Sequence, residues 1–510
     1  MSARLLLQAV RVLAASGVLD PPWHLPALVR ARRETGMSPA SLVAIAAAQR
    51  PDNLAVIDER GTMTYSQLDD QAARVASGLR TRVGDVHSVA VLCRNHRGFL
   101  LATAAAGRLG ADVVFLNTEF SAPQLAGVLQ RMRPSVVVAD KEFPLDAPAV
   151  DVHELTDFPR HRTDQPVRAG KVTILTSGTT GAPKGAPRAA NPFVMLPPTV
   201  ATLRRSRLRA AEPVMIGVPL FHGFGFATWC LAALLRAPVV LHRRFDPETA
   251  LASMAAHRVA AFAGVPVMLQ RLLAAPHDAY DLTALHTVIS GGAPLRPELA
   301  ARFQDVFGDV LLNGYGSSEV GIAAIASAAD LRAAPGTVGR PCEGTPIRVL
   351  DKAGQVVRTG EQGVIHVGGP GLVSGKEMST GDIGHFDADG RLYVDGRADD
   401  MIVSGGENVY PGEVEDALAR HPAIADAAVI GVDDAEYGQR LVAYLVARDA
   451  PPTAEDLATY VKSTLARYKV PREFVFLDQL PRNATGKVLR RQLEQKGSAS
   501  HHREAEPLSP

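Results

Sequence analysis

Ten residues from Thr176 to Gly185, TSGTTGAPKG, combine four hydroxyl side chains, three glycines and a lysine. Glycines 178, 181 and 185 let the backbone approach a ligand closely and turn successive N–H groups inward as an anion nest. Ser177, Thr179 and Thr180 add hydroxyl donors, and Lys184 adds a positive charge. Charge-assisted hydrogen bonds of this kind contribute about 1.5–3 kcal/mol each, enough together to hold a polyphosphate. Two residues separate Gly181 from Lys184 and a glycine follows the lysine, so the loop is not the GxxxxGK[ST] cradle of Walker-type NTPases. The loop follows the apolar run VTILT, which places it at the carboxyl end of a strand, where ligands bind in open α/β sheets.

Other residues offer complementary chemistry. In NGYGSSE, 313–319, Tyr315 provides a ring on which a base can stack, and Gly316 makes room for a nucleotide. Glu319 is a hard oxygen ligand suited to Mg²⁺. Asp382, in STGDIG, is acceptor-only and suits the two hydroxyls of a ribose. His222 sits among aromatics and glycines in PLFHGFGF, and Phe224, Phe226 and Trp229 suit an apolar acyl or aryl group. The stretch FHGFGFATW contains no acid that could hold an ammonium group. Gly405 and Gly406 permit close backbone approach to a narrow ligand.

TSGTTGAPKG resembles the signature loop of the adenylate-forming superfamily, which includes acyl-CoA synthetases, luciferases and peptide-synthetase adenylation domains. Six further segments follow in that family's order: PLFHGFGF, SGGAPL, NGYGSSE, STGDIG, GRADDMIVSGGENVYPGEVE and PRNATGKVLR. The resemblance runs from about Leu42 to Arg490. It implies that Thr176, Ser177, Gly178, Thr179, Thr180, Gly181 and Lys184 hold the phosphates. Gly291, Gly292, Ala293 and Pro294 would lie along the adenine and the acyl chain, with Asn313, Gly314, Tyr315, Gly316 and Ser318 completing the nucleotide site. Arg397 joins Asp382 at the ribose, and Thr176 and Glu319 lie on the metal side. Lys487 is implied as the adenylation lysine, bridging the carboxylate and the α-phosphate, and His222 is placed at the acyl site, near the carboxylate. Asp399 matches the hinge about which a small domain rotates, and Ser404, Gly405, Gly406 and Glu407 match the segment presented to the pantetheine of CoA. Ser318 replaces the usual threonine, and the segment between GGPGLVSG and MSTGD is shorter than the family's, reduced to KEM.

The implied reaction joins a carboxylic acid to ATP with loss of pyrophosphate, then transfers the acyl group to CoA, with Mg²⁺ as cofactor. A medium- to long-chain fatty acid is the expected substrate. An aryl or other carboxylate, or transfer to an acyl carrier protein in place of CoA, are the alternatives.

The elements that must position these residues are also legible. From about Val86, short β-branched runs (SVAVLC, DVVFL, SVVVA, VTILT, PVMIGV, PVVLH, VAAF, HTVIS, DVLLN) alternate with helical stretches, the pattern of parallel sheets covered on both faces. After Pro341, turns rich in Gly and Asp mark a smaller antiparallel β unit. The fold class is therefore α/β, with a small α+β domain at the C-terminus that the resemblance implies is mobile. The expected divisions are a helical extension over 1–40, an AMP-binding domain over 41–396, a hinge at 397–400, a lid domain over 401–492 with a basic helix from Lys487, and a disordered tail over 493–510.

Lys plus Arg number 54 against 53 Asp plus Glu, a net charge of +1 that argues against nucleic acid as a partner. Cys93, Cys230 and Cys342 are scattered, without a CxxC pair, which predicts no structural zinc, no disulfide and a reducing, cytoplasmic location. Residues 1–19 read as an amphipathic helix, with Arg4, Gln8 and Arg11 on one face and Leu6, Val10 and Leu13 on the other. That helix is expected to pack on its own protein, with weak membrane-surface contact as the alternative. Oligomeric state is open, a homodimer included.

Overall fold

Runs of Val, Ile, Leu and Ala between helices fold here into two parallel-centred sheets and one small mixed sheet. The computed structural model describes the chain apart from residues 1–2, 20–24, 144, 146–148, 162–167, 177–183, 190–191, 318–319, 370–376, 399, 405–406, 435–437, 484–485 and 502–510. The first sheet has six strands. Ser88–Leu92 lies at its centre, parallel to Val136–Ala139 and to Asp112–Phe115, and the latter is parallel to Lys171–Thr176. The second has thirteen strands. In its parallel core Val214–Ile216, Ala261–Gly264, Thr287–Gly291 and Leu311–Ser317 lie side by side. The first three and residues 311–313 of the last are largely buried, as their mainly apolar sequences require, whereas Gly316 and Ser317 at the end of the last strand are exposed.

The chain then turns antiparallel. Gly321–Ala326 folds back on Leu311–Ser317, and Ile347–Leu350, Gly363–Val367, Met378–Phe386 and Leu392–Arg397 extend the same sheet as the predicted β unit. The C-terminal domain has its own core around Ile402, Val409, Val414, Val429, Leu441 and Leu457. There Ile424–Asp434 and Gly438–Ala447 form a long antiparallel pair, Glu473–Phe476 adds a parallel strand, and the helices Pro411–Ala419 and Ala454–Thr464 complete the domain.

One helix face and two helix boundaries differ from expectation. In the N-terminal helix Ala3–Ala15, Ala9 is buried and Val12 and Leu13 pack on the core, whereas Leu6 and Val10 face outward at 52% and 45% exposure. Its inward face is set by tertiary contacts. Buried Arg236 donates to the carbonyls of Gly17 and Val18 (3.1 Å for Val18) and to Gln49, fastening the turn after the helix. At the other end the final helix begins at Arg490 and not at Lys487, because residues 482 and 488 bridge in a tight hairpin. That helix runs on to His501, past the start of the expected disordered tail. The buried Leu493 side chain and a hydrogen bond from Tyr444 Oη to the Leu493 carbonyl (3.0 Å) anchor it. No described helix is long and apolar enough to cross a membrane.

Candidate active site

The carboxyl ends of the parallel strands 261–264, 287–291 and 311–317 point to one place. Gly291, at the end of its strand, lies beside the Gly314 carbonyl and the Phe224 ring, while Val265 lies beside both Gly292 and Gly486. The left-handed φ of Gly292, +79°, turns the chain sharply out of the strand. His222 is the N-cap of the helix Gly223–Leu234, whose first turn faces this cleft through Phe224. The segment leading to His222 is fixed by Asn95, whose buried amide donates to the Val218 carbonyl (2.8 Å) and accepts from the Leu220 N–H (2.8 Å). Burial, assisted by the nearby charge of Lys487, depresses the His222 imidazole to about 4. It is a neutral ring at physiological pH, able to donate or accept one hydrogen bond without adding charge.

On the opposite side, Tyr315 Oη donates to Asp382 Oδ2 at 2.5 Å and lies 3.1 Å from Thr380 Oγ1. Arg397 Nη1 reaches Asp382 Oδ1 at 3.2 Å and the Thr380 carbonyl at 3.1 Å. Burial, then the charge and hydrogen bonding of Asp382, push the Tyr315 phenol upward, so it stays protonated and serves as a donor. The strand pair 378–386 and 392–397 sets Asp382 directly opposite Arg397 in register. A carboxylate held by a phenol and a guanidinium, next to an aromatic ring, fits the ribose and base of a nucleotide.

Lys487 reaches this cleft on the 482–488 hairpin of the small domain. Its backbone N–H donates to Asn483 Oδ1 (2.9 Å), its carbonyl accepts from the Asn483 N–H (2.9 Å), and Gly486 N–H closes on the Asn483 carbonyl (2.8 Å). The side chain is exposed in the cleft, close enough to His222 to act on its ionisation. The small domain is thus docked with its lysine over the strand ends.

Several expected site residues take a more specific place. Gly316 is required by its neighbour strand as much as by any ligand, since a Cβ there would lie 1.9 Å from the Gly321 carbonyl oxygen. Asn313 is buried, with its amide 3.5 Å from the Thr337 carbonyl. Trp229, expected in the acyl pocket, is only 3% exposed and belongs to the core. Its ring lies 5.8 Å from Phe226, which meets Phe115 edge-on at 5.0 Å. Ala293 and Pro294 lie in the turn between the 287–291 strand and the helix Pro297–Phe307.

Thr176 and Lys184 are paired residues at the mouth of an antiparallel hairpin formed by the strands Lys171–Thr176 and Lys184–Ala189. The loop therefore joins strand to strand, unlike a Walker loop, which leads into a helix. Ser177, Gly178, Thr179, Thr180 and Gly181 lie outside the described residues, as do Ser318, Glu319, Asp399, Gly405, Gly406 and Lys376 of the shortened segment. Ser404 and Glu407 pair across the turn between strands Ile402–Ser404 and Glu407–Val409.

Asn95, Arg296, Asp426 and Arg482 were not singled out from the sequence, although each has a polar site role in the fold. For Asn95 the available signal is the RNHRG run, 94–98, a polar insertion between an apolar strand and an apolar helix; the other three have no local signature. One cluster of metal-ligand type occurs among the described residues: Cys93, His96 and Asp140, all buried. His96 Nδ1 accepts from the Gly98 N–H (3.0 Å), so Nε2 donates to Asp140 Oδ1 (2.7 Å), which leaves no ring lone pair for a metal. Burial drives the Cys93 thiol up, and Asp140, although burial opposes it, is held low by His96 and Arg243. This is a structural network.

Comparison with known proteins gives the same outline. Residues 43–375 match the AMP-binding enzyme family, and residues 413–487 match the AMP-binding enzyme C-terminal domain. The chain is 34% identical to a feruloyl-CoA synthase of Amycolatopsis sp over 462 residues, 84% of this chain and 92% of the relative. It is 32% identical to an indoleacetate–CoA ligase of Aromatoleum aromaticum, over 86% of this chain and 94% of the relative. The o-succinylbenzoate CoA synthetase of Bacillus subtilis, solved with ATP and a magnesium ion, superposes with a TM-score of 0.79 at 30% identity. That match covers 89% of this chain and 98% of the other. The same enzyme solved with its acyl-adenylate intermediate gives a TM-score of 0.80.

Proposed function

We propose, for a chain that belongs to the AMP-binding enzyme family and is an AMP-forming CoA ligase, that its acid substrate is an aryl or arylalkyl carboxylate. The substrates of the reaction are the acid, ATP and CoA, and its cofactor is Mg²⁺. When bound, Mg²⁺ supplies charge neutralisation for the polyphosphate. Glu319 and Thr176 would hold it, as a carboxylate and a hydroxyl suited to a hard cation.

The observation that carries the aryl reading is the closed aromatic packing behind the 223–234 helix. Phe226 packs between Phe115 and Trp229, and Trp229 is buried in the core, so two of the rings expected in the acyl pocket are engaged with each other and leave little depth for a long alkyl chain. Phe224, beside Gly291, remains at the cleft and offers an aromatic ring to a flat acid. Relatives that act, by name, on ferulate, indoleacetate and succinylbenzoate support the same choice, and with it the runner-up expectation over the fatty acid.

The residues then divide the work. Asp382, positioned by Tyr315 and Arg397, accepts from the ribose hydroxyls and fixes the nucleotide. Neutral His222 lines the acid side without repelling Lys487. Lys487 places its ammonium where negative charge builds as the carboxylate attacks the α-phosphorus and pyrophosphate departs. Removing one such preorganised group costs about 10²–10³ in rate. Pyrophosphate release measured across benzoate, cinnamate-type and indole acids and fatty acids of graded length tests the reading. The expected kcat/KM is at least about tenfold higher for an aryl acid. A maximum on a medium or long fatty acid would reject it.

A further inference from the structure

Between the two domains, one carboxylate receives two arginines of different origin. Asp426 lies near the start of the small-domain strand Ile424–Asp434. Its Oδ2 accepts from Arg482 Nη2 at 2.6 Å, and its Oδ1 lies 3.3 Å from Arg296 Nη2. Arg482 opens the hairpin that carries Lys487, and its second nitrogen, Nη1, donates to the Gly486 carbonyl at 2.6 Å, one residue before the lysine. Arg296 belongs to the large domain. It is the N-cap of the helix Pro297–Phe307 and directly follows Gly291–Leu295, the loop that borders the cleft. The same Nη2 donates to the Ala427 carbonyl at 2.9 Å, and Arg296 Nε lies 3.9 Å from Asp416.

We propose that Asp426 is a positioning residue that couples docking of the small domain to presentation of Lys487. The physical argument is connectivity and partial burial. The side chains of Asp426, Arg296 and Arg482 are 17%, 23% and 26% exposed, so their charges are screened less than surface pairs. Without Arg296, Asp426 still holds Arg482. Without Asp426, Arg296 keeps the Ala427 carbonyl but loses its nearest carboxylate, and Arg482 loses its anchor at the same time, so the domain contact and the hairpin brace weaken together. The hairpin tip depends on that brace, because Gly486, at φ +76°, is pressed against Val265 and Val267 of the large domain. A small shift of the hairpin displaces the lysine from the cleft, and misplacement on the ångström scale carries large rate costs. Arg420 and Glu298 form a second pair across the boundary at 3.0 Å, but both are well exposed and add little.

The inference rests on Lys487 serving the adenylation step. Its test separates the two half-reactions by single-turnover kinetics. Adenylation is followed as pyrophosphate release from ATP and acid, and thioester formation is followed from supplied acyl-adenylate and CoA. Asp426→Asn is expected to slow adenylation about 30-fold and Arg296→Ala about 5–10-fold, with thioester formation changed less than twofold in both. The double variant should lose less than the product of the two single losses, because the two residues share one contact. Thermal unfolding confirms that the variants fold, and Arg296→Lys should recover part of the loss. Equal losses in both half-reactions, unchanged adenylation in Asp426→Asn, or additive losses in the double variant would each overturn the coupling. Lys487→Ala is run in parallel. If it spares adenylation, the reading of the lysine itself fails. If it abolishes adenylation while Asp426→Asn does not slow it, only the coupling fails.

Discussion

Replacing Tyr315 by Phe removes one oxygen and leaves the ring, which separates two roles that the sequence merges. The phenol donates to Asp382 at 2.5 Å, a short contact typical of charge-assisted O–H···O⁻ bonds. Asp382 would keep Arg397 at 3.2 Å on its other oxygen but lose the partner that fixes its rotamer. Hydrogen bonds to charged groups contribute about 1.5–3 kcal/mol, which corresponds to about 10–150-fold in affinity. The freed oxygen can still accept from a ribose hydroxyl, so the lower end applies and AMP should bind about tenfold more weakly. Calorimetric titration of AMP measures this directly, and pyrophosphate release at saturating ATP should remain near the parent rate. Tyr315→Ala, which removes the ring as well, should lose a further factor of about ten. An AMP Kd within twofold of the parent in Tyr315→Phe would refute the argument. So would a fall in the saturated rate with unchanged AMP binding, because the phenol would then serve the chemistry and not the ribose.

The His222 ring should titrate near pH 4 by NMR, and Lys487→Gln should raise that midpoint without restoring 6.5, because burial is the larger cause. Since the unfolded ring takes up its proton near 6.5 and the folded one near 4, the His222 contribution to stability is complete above pH 6.5 and falls away as pH drops toward 4. A folded-state midpoint near 6.5 would contradict this. Gly316→Ala should destabilise by at least about 1–3 kcal/mol in denaturant titration, since its Cβ would overlap the Gly321 carbonyl. Gly321→Ala, with φ +73° but open space, should cost only about 1–2 kcal/mol. Asn95→Ala strips partners from the Val218 carbonyl and Leu220 N–H, and should lower stability by about 1–3 kcal/mol while raising the KM for the acid more than that for ATP. Equal effects on both KM values would argue against a role in placing His222.

Local chemistry carries far in this chain. Short apolar runs name the parallel strands because a strand buried on both faces favours apolar side chains at successive positions, and glycine with Asp turns names the antiparallel unit. The residue types at Asp382, Tyr315 and Lys487 likewise announce acceptor, ring and cation wherever they sit. What their letters leave open is which neighbours claim them first. Phe226 and Trp229 read as pocket lining, yet Phe115, more than a hundred positions away, draws them into the core. Gly316 reads as space for a ligand, yet the close approach of the 321–326 strand already requires it. Leu6 and Val10 form an apolar stripe by spacing alone, but the tie from Arg236 and the packing of Ala9, Val12 and Leu13 turn a different face inward. The contact of Asp426 with both Arg296 and Arg482 joins residues 130 and 56 positions apart and has no local signature. The sequence by itself determined the strands, the domain order and the kinds of chemical group available. Tertiary structure decided their allocation between core, cleft and domain boundary, because burial and pairing depend on chain segments that meet only in the folded state.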